Sequence, residues 1–193
     1  MEELTRVSDL QVSWKKILVK GLPMLIIPVA TLIIIILAKS FYFLEYFHVV
    51  SGSAWTGMDL VMGIFFGYIM AGLPPKQRTE VATRLTPVML FFMPSITSTT
   101  VTAGLYLIHP LGISISNPYL IVVGIIVIAM FVQGLGIFLP NELRVYLEIV
   151  HGAKNVEKIV RLTMINLRLS LIQLILQIVL ILFMAHFATG VPL

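Results

Sequence analysis

PYLIVVGIIVIAMFVQGLGIFL, residues 118–139, is the stretch that decides the fold. It carries no Asp, Glu, Lys or Arg, and its length meets the roughly 20 apolar residues that a helix needs to cross the hydrocarbon of a bilayer. Four further segments of this kind lie at 21–44, 48–73, 85–109 and 164–188. Breakers follow three of the five: Pro74-Pro75-Lys76, His109-Pro110-Leu111-Gly112 and Pro140-Asn141-Glu142. Proline cannot continue a helical hydrogen-bond ladder and glycine weakens it, so these are expected stops. The apolar run that follows Lys20 is too long for a cleaved leader and lacks a small-residue cleavage site. The expected fold is an all-α integral membrane protein, with five transmembrane helices in a single bundle and one membrane domain over 1–193. No repeat, low-complexity tract or linker divides it.

The composition agrees. Of 193 residues 59% are apolar and 11% charged, and mean hydropathy is +1.02. Soluble domains are about 25% charged, so so few charges cannot cover a water-facing surface; the expected surroundings are lipid. The absence of cysteine excludes a disulfide scaffold and a thiolate zinc site. The net charge of +4 is read as topology rather than as a nucleic-acid surface.

Cytoplasmic loops retain Lys and Arg during insertion. Arg6, Lys15, Lys16 and Lys20 precede the first span; Lys76, Arg78 and Arg84 lie between the second and third; Arg144, Lys154, Lys158 and Arg161 lie between the fourth and fifth. Arg168 is within snorkelling reach of the same side, and Lys39 alone falls opposite. The expected orientation has the N-terminus in the cytoplasm and the C-terminus outside a prokaryotic inner (plasma) membrane. The stretch 141–160 reads either as an interfacial helix, with Leu143, Tyr146, Leu147, Ile149 and Val150 among charges, or as an ordinary connector.

This topology places His48, His109 and His186 near the outer face and His151 in a cytoplasmic loop. Helical phase groups His48, Gly52, Trp55, Asp59, Gly63 and Gly67 on one stripe, and Ser95, Ser98, Thr102 and His109 on another. On the last span Asn166, Ser170, Gln173 and Gln177 share a face that His186 turns away from. His48 and His109 are therefore the expected convergent pair. Neutral imidazole ligates haem iron, copper and zinc. A haem would use Gly52 for close approach, Trp55 as a ring wall, and Lys39 and Tyr42 near its propionates. The glycines Gly63 and Gly67 equally suit small-xxx-small helix packing. Asp59, an ionisable residue near mid-membrane beside Thr97–Thr100, Gln133 and Gln177, is either a proton site or a structural anchor. The methionines, scattered without an M-x-x-M cluster, read as packing. Gly134-Leu135-Gly136 lacks the strand-turn-helix context of a nucleotide fingerprint.

The segment His48-Val49-Val50-Ser51-Gly52-Ser53-Ala54-Trp55-Thr56-Gly57, H-x6-W-x-G in pattern, resembles a motif of several small integral membrane families. These are the CopD-type copper-resistance proteins, the HemJ-type haem-binding protoporphyrinogen oxidases, and related four- or five-span proteins. Leu139-Pro140-Asn141-Glu142-Leu143-Arg144 and Asn166-Leu167-Arg168 look like the last group. The resemblance implies a helical bundle in which His48 ligates haem b or contributes to copper handling. The expected function is then a haem b protein exchanging electrons with a quinone or a redox partner subunit. His48 and His109 would be axial ligands, Gly52 and Trp55 haem contacts, His186 a lesser contact and Asp59 a proton site. Two alternatives stand beside it: a copper transport or resistance protein, with metal passing Asp59, Ser98, Thr99 and the amides of the last span, and a structural subunit of a membrane complex or oligomer.

Overall fold

In the computed structural model the described residues are 14–191; Arg6 lies outside them, as do the side chains of Lys15, Lys16 and Lys20. Five helical rods follow one another: α1 (Trp14–Leu37), α2 (Phe41–Gly72), α3 (Pro75–Ile108), α4 (Pro118–Val150) and α5 (Val156–Thr189), with no strand among the described residues. The last four are long and apolar enough to cross a membrane, whereas the apolar part of α1, Gly21–Leu37, is shorter. The chain is thus a multi-pass membrane protein, with four such helices plus one shorter apolar helix among the described residues where five spans are expected.

The helix boundaries depart from expectation for local reasons. The expected span 21–44 is broken at Ala38–Ser40: Lys39 takes a positive φ of 52°, and the Ser40 hydroxyl accepts the Phe43 amide to cap a new helix. His48 accordingly sits two turns inside α2 rather than opening it. At the far end of α2, Arg78 donates to the carbonyls of Leu73 and Ala71, both at 2.7 Å, and satisfies groups that the Pro74-Pro75 break leaves open. α3 begins ten residues before the expected 85. Thr79 and Thr83 turn their hydroxyls onto the Pro75 and Thr79 carbonyls, so these polar residues are accommodated in the helix.

Pro140 does not end the fourth helix. A π-helical stretch, Gly134–Phe138, precedes it, and Pro140 falls in the first turn of the α-helical stretch Leu139–Val150, where a missing N–H is tolerated. Residues 141–150 therefore continue α4 as helix, and the turn to the next helix is confined to 151–155. Val145 and Ile149 pack with Ala82, Ile159 and Leu162 in a common core. The chain turns at Gly152 (φ 91°) and Ala153 (φ 51°). Asn155 then caps α5 by accepting the Lys158 amide, and Lys158 pairs with Glu148 at 2.6 Å across the turn.

α3 is the central rod, packed against α1, α2, α5 and the Leu139–Val150 part of α4. Ser95 ties it to α1 by donating to the Leu25 carbonyl at 3.0 Å. Because lipid is as apolar as the side chains, such helices associate through close packing and interhelical hydrogen bonds. α2 closely approaches α5 at Gly63, where a Cβ would stand 2.8 Å from the Leu171 amide nitrogen and 3.0 Å from its Cα. Of the expected small-xxx-small pair Gly63 makes the helix contact, while a Cβ at Gly67 would meet nothing nearer than its own helix's Met62 carbonyl at 3.7 Å.

Candidate functional site

The His48 stripe faces α3 directly. His48 Nδ1 lies 2.9 Å from the Thr100 carbonyl, and its ring lies so close to Gly104 that a Cβ there would stand 2.8 Å from Cε1. One turn on, a Cβ at Gly52 would meet Thr100 Cγ2 at 3.5 Å, and Trp55 is buried with Ile96 and Met130. The surface expected to receive a porphyrin is occupied by α3.

His109 caps the end of α3 and is exposed. It follows Thr100 by nine residues, two and a half turns at about 3.6 residues per turn, which puts it on the opposite side of α3 from the His48 contact. The structure does not bring His48 and His109 together, and the residues of this face do not fit a haem. His186 packs at a tilt against Tyr119, with ring centroids 4.3 Å apart and planes at 53°, and its Nδ1 lies 2.6 Å from the Val191 carbonyl. Among the described residues no group of three His, Asp or Glu is placed to hold a metal ion.

Asp59 is fully enclosed, with no exposed surface. Its Oδ2 accepts from the side-chain amides of Gln173 and Gln177, both at 3.0 Å. Ser170 and the Trp55 indole lie beside the carboxylate, although the indole N–H does not reach hydrogen-bonding geometry. Asp59 Oδ1, Gln173 Oε1, Gln177 Oε1 and Trp55 Nε1 are all buried without a partner. The rest of the expected polar layer is directed elsewhere. Ser98, Thr99 and Thr100 donate to carbonyls of their own helix, and Gln133 donates to the Leu169 carbonyl at 3.0 Å.

A second acidic centre escapes the sequence reading. Glu142 Oε1 accepts from Asn166 Nδ2 at 2.9 Å, and Asn166 Oδ1 in turn accepts from Asn141 Nδ2 at 2.9 Å. Glu142 Oε2 and the Thr163 hydroxyl are buried and unpaired. The stripe Thr163, Asn166, Ser170, Gln173 and Gln177, spaced three and four apart on α5 and wholly buried, joins this centre to Asp59. The amide half of that stripe is legible from helical phase. Glu142 is hidden because the proline before it reads as a helix stop.

Between the two centres lies a cavity of about 290 Å³. Its α3 wall runs from Leu85 to Ser98 and its α4 wall from Met130 to Glu142. Trp55 and Gln173 line it near Asp59, and Thr86, Glu142, Thr163 and Asn166 line it near the second centre. α3 closely approaches α4 along Leu139–Val150, while Pro118–Gln133 leans on α5, so the two walls diverge. Ser98, Phe131 and Leu135, at 38% and 50% exposure for the last two, mark the edge where the cavity meets the bundle surface. That surface lies within the membrane-crossing lengths of α3 and α4. Apart from Thr97 and Ser170 the remaining lining is apolar, with Met62, Met89, Met93 and Met130 supplying deformable walls.

Comparisons with protein-family models, with curated protein sequences and with solved structures find no match to this chain.

Proposed function

We propose that this protein binds a ring-bearing, lipid-borne molecule of the quinone class, which enters the α3–α4 cavity sideways from the bilayer. The observation that carries this reading is the cavity between diverging helices. Ligand sites are mostly apolar clefts with a few fixed polar groups, commonly between helices of a bundle. This cavity is of head-group size and places Phe131 and Leu135, with Ser98, at its edge and Thr86, Thr163, Asn166 and Glu142 at its inner end. A molecule with an apolar tail and a polar ring matches that gradient: the tail stays in lipid, the ring fills the methionine-lined space, and its oxygens meet the hydroxyl and amide groups. Glu142 is the proton-accepting or proton-donating group nearest that end. The reading keeps the expected quinone partner and the prokaryotic inner membrane, and leaves out the haem, whose expected cradle does not fit.

Trp55 reports on occupancy. In a Trp14→Phe variant it is the sole tryptophan, and its fluorescence should be quenched saturably by a short-chain quinone in nanodiscs. Gly134 lines the cavity, and a Cβ there meets nothing within 4 Å, so Gly134→Phe fills the space without a clash at its root. Saturable quenching abolished by Gly134→Phe is the expected result. Linear quenching, equal in both proteins, would show partition into lipid alone and defeat the reading.

One observation favours a second reading. Four thioethers, Met62, Met89, Met93 and Met130, share the cavity wall, and thioether sulfur selects Cu(I). Copper handling then predicts about one Cu(I) per chain after anaerobic loading, lost in the Met89→Leu/Met93→Leu variant.

A further inference from the structure

The quinone-class reading leaves Asp59 without a task. Asp59 does not line the cavity, but Trp55 does, and the indole lies beside the Asp59 carboxylate. Four residues separate the two on α2, so they share one face of the helix a turn apart. The carboxylate is anchored from α5: Oδ2 accepts the side-chain amides of Gln173 and Gln177, both at 3.0 Å. Oδ1 is left without a donor and Trp55 Nε1–H without an acceptor, and both atoms are buried.

An indole N–H only donates, and a buried one ordinarily finds an acceptor. At 3% exposure Trp55 cannot turn to bulk water for it. Its apolar neighbours Ile96 and Met130 offer the N–H nothing. The Ser170 hydroxyl also lies beside Asp59, but a carboxylate oxygen accepts two hydrogen bonds, so the hydroxyl leaves room for the indole. A small tilt of the ring brings Nε1–H onto Oδ1. A ring in the cavity touches the indole where the cavity exposes it, and an indole tied to an amide-anchored oxygen is a wall fixed in advance. Such preorganisation raises affinity because less ordering remains to be done on binding.

We propose that Asp59 is a positioning residue of the ligand site: through a hydrogen bond from Trp55 Nε1 to Oδ1 it holds the indole as the cavity wall that a ring-bearing ligand meets. The inference rests on the quinone-class reading. The test is a double-mutant cycle on the full chain in nanodiscs, with wild type, Asp59→Asn, Trp55→Phe and the double variant, read by binding of a tritiated short-chain quinone. Asparagine keeps an oxygen for the two glutamine amides and sets an NH2 group against the indole N–H. The expected result is a Kd raised about tenfold or more by Asp59→Asn, the usual loss with a hydrogen bond to a charged group, and no further rise when Asp59→Asn is added to Trp55→Phe. A loss of equal size in both backgrounds overturns the proposal, because Asp59 then acts on the bundle and not through the indole. An Asp59→Asn protein that binds as wild type does overturns it too, while its saturable binding leaves the quinone-class reading intact; uptake by wild type that never saturates defeats both. Should Asp59→Asn fail to fold, ultraviolet resonance Raman of the Trp14→Phe protein decides. The indole mode sensitive to N–H hydrogen bonding should stand at its bonded position at saturating quinone, and the unbonded position refutes the proposal.

Discussion

Gly63→Ala tests the packing that positions both centres. A Cβ at this position would stand 2.8 Å from the Leu171 nitrogen, 3.0 Å from its Cα and 3.2 Å from the Ser170 carbonyl carbon. Comfortable carbon contacts begin near 3.5 Å, and all three atoms belong to backbone that cannot rotate away. α2 and α5 must therefore separate by roughly half an ångström or more, and overpacking of this kind costs about 1–3 kcal/mol. Against it runs the gain from replacing helical glycine by alanine, about 0.5–1 kcal/mol. Gly67→Ala isolates that gain, since its Cβ meets nothing closer than 3.7 Å. The difference between the two variants removes the shared propensity term and should be about 1–3 kcal/mol, with Gly63→Ala the less stable. Thermal or SDS unfolding in detergent micelles measures it. A Gly63→Ala protein as stable as Gly67→Ala would refute the claimed contact of α2 with the α5 backbone.

Three further outcomes are expected. Asn166→Leu removes the donor to Glu142 Oε1 and the acceptor for Asn141; leaving those groups unpaired should cost about 1–3 kcal/mol, read in the same unfolding assay. Ser95→Ala breaks the tie to the Leu25 carbonyl and should cost about 0.6 kcal/mol, the usual worth of an interhelical bond in a membrane, so a loss several times larger would point to a different role. Because the chain has no cysteine, Ser116→Cys and Lys154→Cys each introduce a single thiol at opposite ends of α4, both exposed. A membrane-impermeant maleimide should label them from opposite sides, Lys154→Cys from the cytoplasm, and labelling of both from one side would remove α4 as a span.

What could be read from the chain followed from what each residue needs locally. A charge-free run of apolar residues must be a membrane helix, and period 3.6 places Asn166, Ser170, Gln173 and Gln177 on one face whatever the partner. Asp59 was legible for the same reason: an ionisable group in an apolar run has to be enclosed. Interhelical register was not. His48 and His109 are expected at similar depths, but α3 presents Thr100 and Gly104 to His48 and carries His109 more than a turn further on and turned away, a register that nothing in either helix alone dictates. The boundaries at Pro140 and Lys39 failed in opposite senses. Proline was tolerated because a π-helical stretch precedes it, and an apolar run was broken because Ser40 caps a new helix. Reading Pro140 as a stop also hid Glu142, one wall of the cavity.

The most direct test of the proposed ligand site is photocrosslinking with an azido-quinone in native membranes, followed by peptide mapping. Adducts should fall within 85–98 of α3 and 130–142 of α4, disappear with excess unlabelled quinone, and be lost in Gly134→Phe. Adducts spread along the outward faces of α1 and α2, or unchanged by competitor, would contradict a site between α3 and α4.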